Sequence, residues 1–175
     1  MPSVSRLYSK DMSDMPTVLP ADTFVEMTQI VLPSHANNHG TAFGGQIAAW
    51  IDIAAAVAAQ RFARMPVVTA SMDQLHFLKA VRRGMVVVLN AQVNQAWRSS
   101  MEIGVRVEME DPITGKRDHC CSAYLTFVAL DEGGAPKNVP LFNPGEDKEA
   151  QRRAAAAQDR RDHRLAMRER RRKEP

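Results

Sequence analysis

Two hydrophobic rhythms divide the middle of the chain. From Phe24 to Leu32, apolar Phe24, Val25, Met27, Ile30 and Val31 are interleaved with polar residues, which predicts a strand. From Gln46 to Arg64 that alternation gives way to an Ala-rich run with Ile47, Trp50, Ile51, Ile53, Val57 and Phe62. Alanine is the best helix former, so the run predicts a helix of about five turns, starting near Gly44. Pro66 ends it, because the residue before a proline is pushed out of the helical region. Strands are then predicted for Val67 to Phe77, Met85 to Ala96, Ser100 to Glu110 and His119 to Leu130. The segment from Ser100 alternates most cleanly. Met101, Ile103, Val105, Val107 and Met109 share one face, and Glu102, Arg106, Glu108 and Glu110 share the other. Turns are expected at Arg82-Arg83-Gly84, Trp97-Arg98-Ser99 and Asp111-Pro112-Ile113-Thr114-Gly115.

Up to Ala59 the helix is apolar on nearly every side, and such a helix is buried all round. The predicted class is therefore α+β: one strand, one long central helix, then four strands in a meander, with an antiparallel sheet of about five strands wrapped around the helix. One sheet covers one side only, so the other side calls for a second copy of the chain. A homo-oligomer, dimer at minimum, is expected from patterning alone, and a stable monomer in a size measurement would contradict it. The run approaches the length of a membrane span, but Asp52 at its middle and Gln46 and Gln60 near its ends argue against one.

Charge is unevenly placed. Of 23 Lys/Arg and 20 Asp/Glu, 11 and 7 fall in residues 146–175, so the tail carries +4 and the rest −1. Three regions are expected: an irregular N-terminal arm at residues 1–21, a folded domain at 22–141, and a basic Ala/Arg-rich tail at 142–175 that is solvated helix or partly disordered. The tail has no interleaved aromatic side chains for base stacking, which argues against a nucleic-acid partner. The only cysteines, Cys120 and Cys121, are adjacent. In a strand they would point to opposite faces, so a disulfide framework is not expected, and a reducing, cytoplasmic setting fits. The first 18 residues carry no apolar signal core.

Candidate chemistry concentrates around the helix start. Gly44-Gly45 stands where a polar loop meets the helix, whose first turn has free N–H groups. Without side chains there, a substrate carbonyl can come close, as in an oxyanion hole; a plain tight turn is the alternative. Asp52 lies seven residues after Gly45, about 10 Å further along the axis. A carboxylate in an apolar helix is costly unless paired or used. It is either a general base or nucleophile, or an aspartate that bonds a partner subunit. Asn37 and Asn38 can orient water or merely form the turn. His35 and His39 have metal-ligand spacing but no completing ligands, so no metal is expected. Ser99-Ser100 can donate to a ligand or cap a turn. Neither a Gly-x-Ser-x-Gly elbow nor a Gly-x-Gly-x-x-Gly nucleotide loop is present.

Together these segments resemble the hotdog-fold acyl-CoA thioesterases, in particular the cytosolic acyl-CoA hydrolases. The likeness rests on Pro33 with His35-Ala36-Asn37, Gly40, Gly44-Gly45, Trp50-Ile51-Asp52, Ala59, Val68-Thr69-Ala70-Ser71-Met72-Asp73, Phe77, Gly84, Ser99-Ser100-Met101-Glu102 and Thr126-Phe127-Val128-Ala129. It implies a hotdog fold, dimers often arranged as a trimer of dimers, and hydrolysis of acyl-CoA to a carboxylic acid and coenzyme A. No cofactor is implied beyond the coenzyme A of the substrate. It also implies sites at the dimer interface, with Asn37 from one subunit and Asp52 from the other. The amide of Gly45, with Gly44, would polarise the thioester carbonyl. Asp52 would activate water or attack directly, and Asn37 would orient the water or carbonyl. Thr69, Arg82, Arg98, Ser99 and Ser100 are the residues expected to contact substrate or coenzyme A, with Lys79 and Arg83 as further phosphate candidates. Many relatives carry Asp where this chain has His35, which leaves more weight on Asp52. Phe43 stands where some relatives have His. The competing reading is a non-catalytic module on the same fold that binds acyl-CoA or an acyl carrier.

Overall fold

The computed structural model describes residues 16–173. The chain runs through β1 (Thr17–Val18), a 3-10 turn, β2 (Val25–Ile30), a second 3-10 turn at Pro33–His35, then α1 (Gly44–Ala63) and β3 (Val67–Met72). It continues through β4 (Val86–Ala96), β5 (Ser100–Glu110), β6 (Arg117–Ala129), β7 (Leu141–Phe142) and α2 (Lys148–Lys173). The short β1 and β7 pair in parallel. The other five strands form one antiparallel sheet in the order β2-β4-β5-β6-β3. This is the hotdog arrangement, a curled sheet around a long helix.

The order corrects the expected four-strand meander. Only β4, β5 and β6 form one. The helix carries the chain across the sheet and delivers β3 to the far edge, beside β6, instead of next to β4. β3 also stops at Met72, short of Phe77. Helix α1 ends at Ala63, with Arg64 in the left-handed region at φ 55° and its N–H donating to the Gln60 carbonyl.

The core lies between α1 and the inner face of the sheet. Ile47, Trp50, Ile51, Ala54, Ala55, Ala58, Ala59 and Phe62 pack against Leu89, Val93, Met101, Ile103, Leu125 and Phe127. Burying a side chain such as Phe62 contributes roughly 1.5–3 kcal/mol. Cys120 and Cys121 are both fully buried free thiols, not split between faces as expected. The register passes from Val107 opposite Cys121 to Glu108 opposite His119, so a bulge at Cys120 breaks the alternation. The hydrogen bond with Cys120 and then burial push the Cys121 thiol well above its ordinary range.

The tail, expected to be a solvated helix or partly disordered, is a helix over Lys148–Lys173, α2, and one side of it is covered by the sheet. Ala150, Ala154 and Ala157 are buried, and further along Trp97 donates its indole N–H to Gln158 at 2.8 Å. Glu102, on the polar face of the β5 alternation, is fully buried beneath α2. Arg160 brings Nη2 to 2.6 Å from its carboxylate, Arg164 approaches at 3.3 Å, and Asn94 donates to it at 3.2 Å. The Arg160 guanidinium also lies 3.6 Å from the centre of the Tyr124 ring. Removing one partner from such a buried pair costs about 3–5 kcal/mol.

Gly104 is the contact that lets Asn94 lie flat in this layer. A Cβ there would sit 2.6 Å from Asn94 Nδ2, and Asn94 is itself buried. Gly104→Ala is expected to destabilise the fold by about 1–3 kcal/mol. A thermal melt with an unchanged midpoint would contradict the packing described.

Candidate active site

The loop before α1 is closed by one asparagine. Asn37 Oδ1 accepts from the amides of His39 and Thr41 at 2.9 and 3.2 Å, and the Asn37 amide donates to the Thr41 carbonyl at 2.8 Å. Short polar side chains that mimic a backbone turn suit this position. The loop is tied to the segment before β4. Ala42 donates to the Val81 carbonyl at 2.7 Å and Arg83 to the Gly40 carbonyl at 3.0 Å, while Thr41 bridges Arg82. Arg82 and Arg83 are thus exposed beside the Asn37 loop. His35 is held as a packing residue, edge-on to Trp50 with ring centres 5.1 Å apart. Among the described residues no three His, Cys, Asp or Glu side chains come together as metal ligands.

At the helix start, Gln46 and Ile47 both donate to the Phe43 carbonyl, at 2.9 and 3.2 Å. The amides of Gly44 and Gly45 have no carbonyl one turn back inside the helix, as at every helix N-terminus. Two aromatic rings flank the pair. A Cβ on Gly45 would lie 2.5 Å from the Phe43 ring, and one on Gly44 would lie 3.3 Å from Phe77. Phe43 and Phe77 are themselves exposed.

Asp52 is half-buried, not sealed inside the core. It borders a stripe of α1 that the sheet leaves uncovered, formed by Gly45, Ala49, Ile53 and Val57. Thr69 of β3 donates its hydroxyl to Asp52 Oδ1 at 2.7 Å. Thr69, expected to contact substrate, is therefore placed against the carboxylate. β3 presents further exposed apolar side chains beside it, Val68 at 46% and Met72 at 37%.

The remaining predicted contacts lie apart. Arg98, Ser99 and Ser100 form the β4–β5 turn, where Val139 donates to the Arg98 carbonyl, Ala129 to the Ser99 carbonyl and Arg161 to Ser100 Oγ. Lys79 pairs with Asp118 at 2.8 Å. Among the described residues no hydrogen bond or ion pair joins the β4–β5 turn, or Asn37, to Asp52. The role of Glu102 and its arginines escaped the sequence reading. Its signal was there in Ala150, Ala154 and Ala157, spaced to share one helix face, with Arg160 and Arg164 continuing that face.

Comparison with known proteins fits this geometry. The profile of the thioesterase superfamily matches residues 39–116. A Bacillus subtilis protein described as an uncharacterized acyl-CoA thioester hydrolase is 42% identical over 125 residues, 71% of this chain and 73% of its own. Mouse acyl-coenzyme A thioesterase 11 is 40% identical over 134 residues, 77% of this chain, but the chain spans only 23% of that protein. The acyl-CoA hydrolase of Staphylococcus aureus, solved in complex with butyryl coenzyme A and coenzyme A, is 38% identical with a TM-score of 0.81, covering 87% of this chain and 93% of that one. The same hydrolase has been solved with an asparagine, an aspartate or a threonine replaced by alanine, the three positions 15 and 17 residues apart. Asn37, Asp52 and Thr69 stand at those same separations. An acyl-CoA thioesterase described as hexameric is 36% identical with a TM-score of 0.82, covering 86% of this chain and 96% of that one. The chain belongs to the thioesterase superfamily.

Proposed function

We propose that the protein hydrolyses acyl-CoA thioesters to a carboxylic acid and coenzyme A, at a site built by two copies of the chain. The observation that carries this reading is the Thr69–Asp52 hydrogen bond at 2.7 Å on the uncovered face of α1. Thr69 occupies one carboxylate oxygen and fixes its plane, so the other oxygen is free to take a proton from water. The water oxygen attacks the thioester carbonyl carbon while an amide of the Gly44-Gly45 turn receives the developing oxyanion. The C–S bond then breaks. The thiolate leaves and takes back the proton held by Asp52. Thiolate is a good leaving group, so neither a metal nor an organic cofactor is needed.

Distance argues for two chains. Gly45 and Asp52 of one helix are about 10 Å apart along its axis. An oxyanion donor and a base serving one carbonyl must each lie near 3 Å from the reacting atoms. A two-fold axis near Ala48 and Ala49 sets Gly45 of one copy beside Asp52 of the other, and covers Ile53 and Val57 in the same contact. The hexameric relative supports a trimer of dimers as the full assembly. Arg82 and Arg83, beside the Asn37 loop, are the nearer of the expected phosphate contacts. The two free, buried thiols fit a cytoplasmic setting, and no helix among the described residues is long and apolar enough to cross a membrane.

Thiol release from a series of acyl-CoA substrates tests the activity and separates an enzyme from a binding module. Asn37→Ala and Asp52→Ala should each be inactive, yet their equimolar mixture should recover about a quarter of wild-type activity through mixed dimers with one intact site. No recovery would place the whole site in one chain. Thr69→Val should lower kcat about 10-fold with little change in KM, while Thr69→Ser stays near wild type. A Thr69→Val variant with normal kcat would remove the threonine from the site.

A further inference from the structure

Strand β3 presents Thr69 to Asp52 from an exposed position. It is the edge of the sheet, bonded to β6 on one side only, and its register slips between Thr69 and Ser71, where Ala70 is bulged. The bulge breaks the ladder to β6 beside Thr69, so the register there rests on what holds the ends of the strand. A hydroxyl that fixes a carboxylate must nevertheless hold its place to a fraction of an ångström.

The far end of this strand is tied down from the other side of the sheet. Asp73, immediately after Met72, donates its amide to the Tyr124 carbonyl at 2.9 Å. Its carboxylate accepts from Arg164 Nη1 at 2.7 Å. The same Arg164 Nη1 reaches Glu102 at 3.3 Å, and Glu102 is fully buried. Arg160, one turn earlier on α2, forks onto that carboxylate and lies over the Tyr124 ring. Arg164 thus bridges a carboxylate fixed in the sheet and the one that ends β3. From Asp73 back to Thr69 is four residues, about 13 Å of strand. The helix carrying Arg164 lies wholly outside residues 39–116, the part matched by the family profile.

We infer that Arg164 of α2 is a positioning residue for the proposed thioesterase site: by clamping Asp73 to the buried Glu102 it holds the bulged edge strand β3 in the register that keeps Thr69 on Asp52. The inference rests on the catalytic reading of Asp52. Arg164 touches no reacting atom and acts only through the strand. Asp73 is the other half of the clamp. Glu102 is its anchor.

A double-mutant cycle on acyl-CoA hydrolysis tests this. Arg164→Gln should lower kcat about fivefold with KM little changed, and Asp73→Asn should do the same. In a Thr69→Val background Arg164→Gln should lower kcat less than about twofold further, because the group it positions is already gone. Arg164→Lys, which keeps a charge with reach to Asp73, should recover part of the loss and serves if the glutamine variant fails to fold. Full additivity with Thr69→Val, or an unchanged kcat in both Arg164 variants, overturns the inference. A fully active Asp52→Ala would instead sink the catalytic reading itself, so the two failures are distinguishable.

Discussion

A single curled sheet cannot surround a helix. That geometric limit governs most of this molecule. The sheet takes Ile47, Trp50, Ile51, Ala54, Ala58 and Phe62 into its core and leaves Gly45, Ala49, Ile53 and Val57 facing outward. Three of the groups proposed for the chemistry sit on or beside the side left bare. Asp52 lies along its border, the Gly44-Gly45 amides open at its end, and Thr69 reaches in from the neighbouring edge strand. In the proposed site catalytic groups and unfilled packing surface coincide for a reason: a cleft between copies would exclude water from the reacting atoms and supply donors that one helix cannot bring together.

The opposite face of the sheet follows a different rule. There the covering element is polar, and what holds it is charge, not apolar area. The buried Glu102 is answered by Arg160 and Arg164, while the Arg160 guanidinium covers Tyr124 and that of Arg161 covers Trp97. Arginine suits this layer because its planar fork meets a carboxylate and an aromatic face with the same group. The small side chains Ala150, Ala154 and Ala157 allow α2 to approach the sheet closely. Since an unpaired buried carboxylate would cost several kcal/mol, α2 and the sheet depend on each other.

The central helix, the five main strands and the uncovered side were legible because each depends on a local periodicity. Ala-rich helix against alternating strand is a contrast that a linear sequence displays directly. Strand order was not. Placing β3 at the far edge follows from where α1 ends in space, and that is a property of the curled sheet. The bulge that buries both Cys120 and Cys121 likewise arises from pairing with β5. In the site, Asn37, Gly45 and Asp52 stood out as polar or glycine exceptions to their surroundings. Thr69 was found as a residue, but nothing along the chain shows that its hydroxyl meets Asp52. Glu102 obeyed the alternation perfectly, and its burial was hidden for that reason, because the pattern marks which face a residue occupies and not what else comes to cover it.

The open edge of β3 has a consequence for the life of the chain before assembly. A newly made copy exposes one side of its backbone ladder, with Val68 and Met72 alongside and Ile53 and Val57 behind. Such an edge can recruit any extended polypeptide, not only its twin. Left bare, that strip is where one chain can stick to another.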